Sequence, residues 1–160
     1  MKKISVFILL FAILVFGGFY AIQSEAQTGE TEGVKVPLNN YLQAHATGNP
    51  EFVRKAFHTD AKLFWYRDGK LMQRTAEEFA AGFTGKPAAD EAQRKRNIDN
   101  IDITGNAAVA RITLDYPTVK FTDYMSLLKI DGEWKIVNKT FYAEPKAAPA
   151  APATGTKPGE

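Results

Sequence analysis

AAVARITLDYPTVKFTDYMSLLKIDGEWKIVNKTFY, residues 107–142, reads as three strands in a row. Ala108, Ala110, Ile112 and Leu114 alternate with Val109, Arg111, Thr113 and Asp115. That is the period of two expected of a strand with one buried face. Pro117 ends the run, because proline cannot donate to a ladder. Val119 to Ile130 predicts the next strand, Asp131-Gly132 a two-residue hairpin turn, and Glu133 to Tyr142 the last strand. Just upstream, Arg94 to Ile103 predicts another strand, closed by Thr104-Gly105-Asn106.

Further upstream the period changes. Val34, Leu38, Tyr41, Leu42 and His45 share one helical face. Pro37 belongs in the first turn of that helix, which predicts a start near Val36. Thr47-Gly48-Asn49-Pro50 breaks it, and Glu51 to Phe57 predicts a second helix offering Phe52, Val53, Ala56 and Phe57. Lys62 to Arg67 is β-prone, Asp68-Gly69 turns, and Lys70 to Gln73 returns. Thr75-Ala76-Glu77-Glu78 is a capping box that opens a third helix carrying Phe79 and Phe83. Helices early and an antiparallel meander late argue for an α+β fold, with helices packed on one face of a sheet.

The flanks differ from this folded part. Residues 1–26 read as a signal peptide: Lys2 and Lys3, an uncharged apolar run from Ile4 to Ile22, then Ser24-Glu25-Ala26 as a small-residue cleavage site. The alternative is an uncleaved membrane anchor, since that run is near the length of a bilayer span. Either way the domain is exported, periplasmic or secreted if cleaved, and otherwise held facing outside. Residues 27–33 read as a linker, 34–143 as the domain, and 144–160 as a disordered tail rich in Ala and Pro. The chain has no cysteine, which excludes disulfides, thiolate metal sites and a lipidated N-terminal cysteine. A formal net charge of +2 without a basic stripe leaves no electrostatic footprint for nucleic acid.

Tyr41-Leu42-Gln43-Ala44 before Gly48-Asn49, Ala56-Phe57-His58-Thr59-Asp60-Ala61, Asp68-Gly69-Lys70 and the run from Asp123 to Lys139 together resemble the nuclear-transport-factor-2-like superfamily. Within it the chain is most similar to the group named lumazine-binding proteins. The likeness covers residues 34–142. It implies a cone: three N-terminal helices packed on a strongly curved, mainly antiparallel sheet of about six strands, with a pocket at the wide end. It also implies homodimers, which many relatives form through the outer face of the sheet.

The same superfamily contains isomerases, dehydratases, cyclases and epoxide hydrolases, so the chain can be tested for their chemistry. Tyr41 falls where the isomerases keep an oxyanion-hole tyrosine. Their catalytic aspartate falls near Trp65 and their second acid near Ser126, so that mechanism does not transfer. His58 with Asp60 would suit a dehydratase, although His-Thr-Asp-Ala also reads as a turn that satisfies free backbone amides. Arg111, Asp115 and Asp123 could mimic the Arg and two Asp of the epoxide hydrolases. With Lys139 they lie on strands whose register the sequence leaves open. His45, on the apolar face of the first helix, reads as a packed histidine. His45 and His58 lack metal spacing, so no metal and no cofactor are expected.

Aromatic residues are the stronger signal. Phe79, Trp134 and Ile136 read as core, whereas Tyr41, Trp65, Phe83, Arg111, Tyr116 and Tyr124 are the candidate ligand-binding residues. Such a pocket suits a flat, mostly apolar ligand fixed by a few polar groups. The expectation is a small-molecule-binding protein without an evident catalytic set. The alternatives are an enzyme of dehydratase, isomerase or hydrolase type using His58, Asp60, Asp115 or Asp123, and a dimeric interaction scaffold.

Overall fold

The computed structural model describes residues 28–147. The expected signal segment, and residues 148–160 of the expected tail, lie outside the described residues, while residues 144 and 145 belong to the last strand. Helix α1 covers 28–47, α2 is Pro50–Ala56 and α3 is Ala76–Ala80, with a 3-10 turn at Glu91–Gln93. The strands are β1 Phe57–Arg67, β2 Lys70–Thr75, β3 Lys95–Thr104, β4 Ala107–Asp115, β5 Val119–Ile130 and β6 Glu133–Pro145. They form one sheet in the order β2-β1-β6-β5-β4-β3. Every ladder is antiparallel except the parallel pairing of β1 with β6.

Local chemistry explains the boundaries. Asp68-Gly69 and Asp131-Gly132 both take positive φ at their two central residues, as a tight hairpin requires. Thr75 and Glu78 complete the capping box of α3 reciprocally. On α1, Val34, Leu38, Tyr41 and Ala44 are fully buried. They meet the inner face of the sheet at Ile112, Leu114, Met125, Leu127 and Ile136 in one hydrophobic core.

Helix α1 does not start near Val36. Residues 28–33, assigned above to a linker, are helical, so Pro37 lies inside the helix and is fully buried. The extra turns are docked on the β5–β6 hairpin. Trp134 Nε1 donates to Glu30 at 2.9 Å, and Lys129 Nζ donates to its other oxygen at 2.6 Å. Gly33 permits the approach, because a Cβ there would stand 2.9 Å from Trp134 Cδ1. A proline ring crowds the carbonyl four residues back, and that residue is again Gly33.

The strongly curved, cone-shaped sheet implied by the resemblance is overturned. The strands pair in one open row with β2 and β3 as its edges. Closure would need those edges to pair, with matching tilt and stagger, and no ladder joins them. The placement of β1 is the reason. Lying parallel beside β6, it carries β2 out to one edge, while the meander carries β3 to the other. The sheet therefore buries one face under the helices and leaves the other to solvent.

Candidate functional site

The site is created by a slip in β6. Trp134 and Ile136 are buried, and strict alternation would next turn Asn138 and Thr140 inward. The β5–β6 register shifts instead: Leu127 opposes Ile136, while Ser126 opposes Asn138, leaving Val137 as an extra residue. A one-residue slip moves every following side chain to the other face. Lys139 and Phe141 consequently point toward the helices, opposite Met125 and Asp123 of β5.

Lys139 is 4% exposed and Asp123 is fully buried. Lys139 Nζ donates to Asp123 Oδ2 at 2.9 Å and to the Tyr41 hydroxyl at 2.5 Å. Tyr41 in turn donates to Asp123 Oδ2 at 2.5 Å. The second carboxylate oxygen, Oδ1, is buried without a hydrogen-bond partner. The ammonium sits over the rings of Tyr41 and Phe141, each 4.8 Å from the centroid, and 5.5 Å from that of Phe79. Burial lowers the Lys139 pKa from its ordinary value, and Asp123 opposes that fall. Burial and the adjacent Asp123 carboxylate raise that of Tyr41 well above the usual phenol value. Removing one partner of such a buried pair costs roughly 3–5 kcal/mol, because the other is left uncompensated.

Above this triad opens a cavity of about 430 Å³. His45, Trp65, Phe79, Phe121 and Phe141 wall it, Lys139 forms part of its floor, and Arg67 and Arg74 stand at its exposed rim. Trp65 stacks on Phe141 with centroids 5.6 Å apart, and the Arg74 guanidinium lies 5.0 Å from the Trp65 ring. His45 packs edge-on against Tyr41 at 4.7 Å and Phe83 at 5.3 Å. Burial, with Lys139, Arg96 and Arg94 nearby, holds its pKa well below the usual imidazole value. It is a neutral histidine whose Nε2 is buried without a partner.

The residues singled out in the sequence are divided by the fold. Tyr41, Trp65 and Asp123 belong to this site. Phe83 and Tyr116 lie behind its wall: Phe83 packs on His45 and Phe79, and Tyr116 on Phe121 with Arg94 and Arg96 over its ring. Arg111 and Tyr124 lie on the opposite, solvent face of the sheet, where they line a separate depression with Asp99 and Ser126. Asp115 pairs with Lys146. Arg111, Asp115 and Asp123 are thus not brought together: Arg111 and Asp115 share one side of β4 but pair with Asp99 and Lys146, whereas Asp123, opposite Ile112, faces the core. His58 and Asp60 do not line the cavity either. They occupy a stretch of β1 where pairing slips between Phe57 and Lys62, and His58 Nδ1 accepts the Asp60 amide at 3.2 Å. That stretch is irregular strand rather than a turn between elements.

The sequence left the facing of Lys139 open, took Phe79 for pure core where it is a wall, and gave no sign of the rim guanidiniums Arg67 and Arg74. The signal for Lys139 was weak: a lysine on a strand is ordinarily solvated, and the bulge that turns it inward has no residue signature at Val137. Among the described residues no three His, Asp or Glu side chains gather into a metal-binding group.

With this geometry in place, similarities to known proteins can be read. Residues 29–142 match the family described as "Putative lumazine-binding". A protein of unknown function from Shewanella baltica with a nuclear-transport-factor-2-like fold superposes with a TM-score of 0.68 at 28% identity, covering 74% of this chain and 97% of that one. Another, from Methylobacillus flagellatus, superposes with a TM-score of 0.62 at 34% identity, covering 72% of this chain and 93% of that one. Among characterised proteins, Aldolase FrzH of Cladobotryum sp is 26% identical over 121 residues, which are 74% of this chain and 95% of that protein.

Proposed function

The chain belongs to the lumazine-binding family of the nuclear-transport-factor-2-like superfamily, and from that premise we propose that it holds a planar small molecule in the cavity between its helices and its sheet. The observation that carries this reading is the cavity itself: about 430 Å³, walled by Trp65, Phe79, Phe121 and Phe141. That volume suits a ligand of two or three fused rings, and aromatic walls favour flat faces. The floor neutralises its own charge through the Lys139–Asp123 pair. An acidic edge on the ligand would therefore turn toward the rim, where Arg74 and Arg67 supply guanidinium groups.

Fluorescence tests the proposal, because Trp65 faces the cavity while Trp134 packs on α1 at Gly33. Lumazine, riboflavin and 2-naphthoate are titrated into the protein. Saturable quenching is expected for at least one of them, absent in Trp65→Phe, and weakened about tenfold for the carboxylate by Arg74→Ala. Unchanged Trp65 emission with every probe, together with a ligand-free native mass for protein from its own host, would reject a ligand site.

One observation favours a second reading, an enzyme acting on carbonyl compounds. A chain similar to this one is named an aldolase, and here the lysine that lines the cavity is hydrogen-bonded to a buried phenol and a buried carboxylate.

A further inference from the structure

We propose that Lys139 is a Schiff-base-forming amine, and that the cavity takes an aldehyde or ketone whose carbonyl group reaches the floor. The inference rests on the cavity being a ligand site, and it names the ligand chemistry and the reacting atom.

Position is the first argument. Lys139 lines the cavity from below while remaining 4% exposed, with aromatic rings on several sides. A ligand in the cavity lies against the Lys139 side chain, which is 4% exposed. A lysine in apolar surroundings gives up its proton more readily than a solvated one, and the neutral amine is the nucleophile. Two groups stand beside it. Asp123 Oδ2, 2.9 Å away, can take the ammonium proton, and the Tyr41 hydroxyl, 2.5 Å from Nζ, can donate to an oxygen there. Asp123 Oδ1, beside Lys139, is buried without a hydrogen bond, and so is Nε2 of His45, which lines the cavity. Buried polar atoms of this kind are uncommon in a finished core and call for a partner.

The step balances without any further reactant. Lys139 passes one proton to Asp123, and the free amine attacks the carbonyl carbon, forming a C–N bond. The former carbonyl oxygen is protonated from Asp123, directly or with the Tyr41 hydroxyl relaying that proton, giving a carbinolamine. The nitrogen loses a proton to the carboxylate, the hydroxyl gains one and leaves as water, and a C=N bond forms. The nitrogen keeps its one remaining proton, so the product is an iminium ion beside the Asp123 carboxylate. One ammonium and one carbonyl have become one iminium and one water, with charge conserved.

The experiment uses 2-naphthaldehyde, a flat probe that carries a carbonyl, with sodium borohydride to reduce any imine to a stable secondary amine. Peptide mass mapping then locates the naphthylmethyl group. The expected result is one added group per chain on Lys139, acquired about tenfold faster than on the exposed lysines. It should be suppressed by 2-naphthalenemethanol, which fills the cavity without a carbonyl. Lys139→Arg, with its fold checked by circular dichroism, should lose that modification. Should the arginine variant fail to fold, site mapping and competition on the unaltered protein decide alone. Quenching of Trp65 by the aldehyde with Lys139 unmodified, or with labelling no faster than at surface lysines, overturns the Schiff base and leaves the ligand site standing. Absence of quenching by both aldehyde and alcohol overturns the ligand site and this inference with it.

Discussion

His45 shows how one residue links the core to solution conditions. Its ring packs against Tyr41, Phe79, Phe83 and Tyr116, and its imidazole is neutral because burial and three nearby cations resist a further charge. In the unfolded chain it titrates near its ordinary value of 6.5. Below that pH the unfolded state takes up a proton that the folded state refuses, so stability falls as pH drops through 6.5 and is unaffected by this group above it. Urea unfolding at pH 7.5 and 5.5 should show a loss of about 1 kcal/mol in the parent protein. His45→Phe, which keeps the ring packing, should lose most of that difference; an equal loss in both proteins would assign the pH dependence elsewhere. At this scale the sequence placed His45 and Tyr41 on the buried face of α1. It could not reveal that Asp123 and Lys139 would join them, since both lie far along the chain and meet Tyr41 only across the folded core.

Two elements depart from their sequence patterns, each for a tertiary reason. The bulge at Val137 reverses the alternation of β6, so a pattern read from Trp134 and Ile136 assigns Lys139 to the wrong face. Helix α1 runs past Pro37 because Glu30 and Gly33 dock its first turns on Trp134. Gly33→Ala separates two opposing effects. Helix propensity alone would favour alanine by about 1 kcal/mol. Contact of the new Cβ with Trp134, at 2.9 Å, works the other way, and overpacking of a buried ring costs about 1–3 kcal/mol. The expected outcome is a lower melting temperature and faster amide exchange over residues 28–34. An unchanged or raised melting temperature would show that Trp134 moves aside freely.

At the scale of the molecule, an open sheet has two faces, and the cavity uses one. On the other, Val109, Tyr124 and Leu128 are exposed on adjoining strands, with Arg111 paired to Asp99 beside them. We propose that this face joins a second copy of the chain, as the resemblance to homodimeric relatives implies. Apolar side chains with a paired charge at their margin suit a self-complementary contact. Light scattering should then give twice the chain mass, and Val109→Asp combined with Tyr124→Asp should halve it without changing Trp65 quenching. A monomeric mass for the unaltered protein at micromolar concentration would dismiss the dimer.

The sequence by itself determined what depends on neighbours in the chain. The hairpins at Asp68-Gly69 and Asp131-Gly132, the capping box at Thr75 and the α+β class follow from local periodicity and turn chemistry, and all are present. The reading of residues 1–26 as an export signal rests on sequence alone. Tertiary structure decided how the strands are ordered, that the sheet stays open, and which strand charges turn inward. Those choices depend on pairing between distant segments, where one extra residue at Val137 moves Lys139 from solvent to the floor of the cavity. A period of two can be read along a chain, but its phase is set by the partner strand.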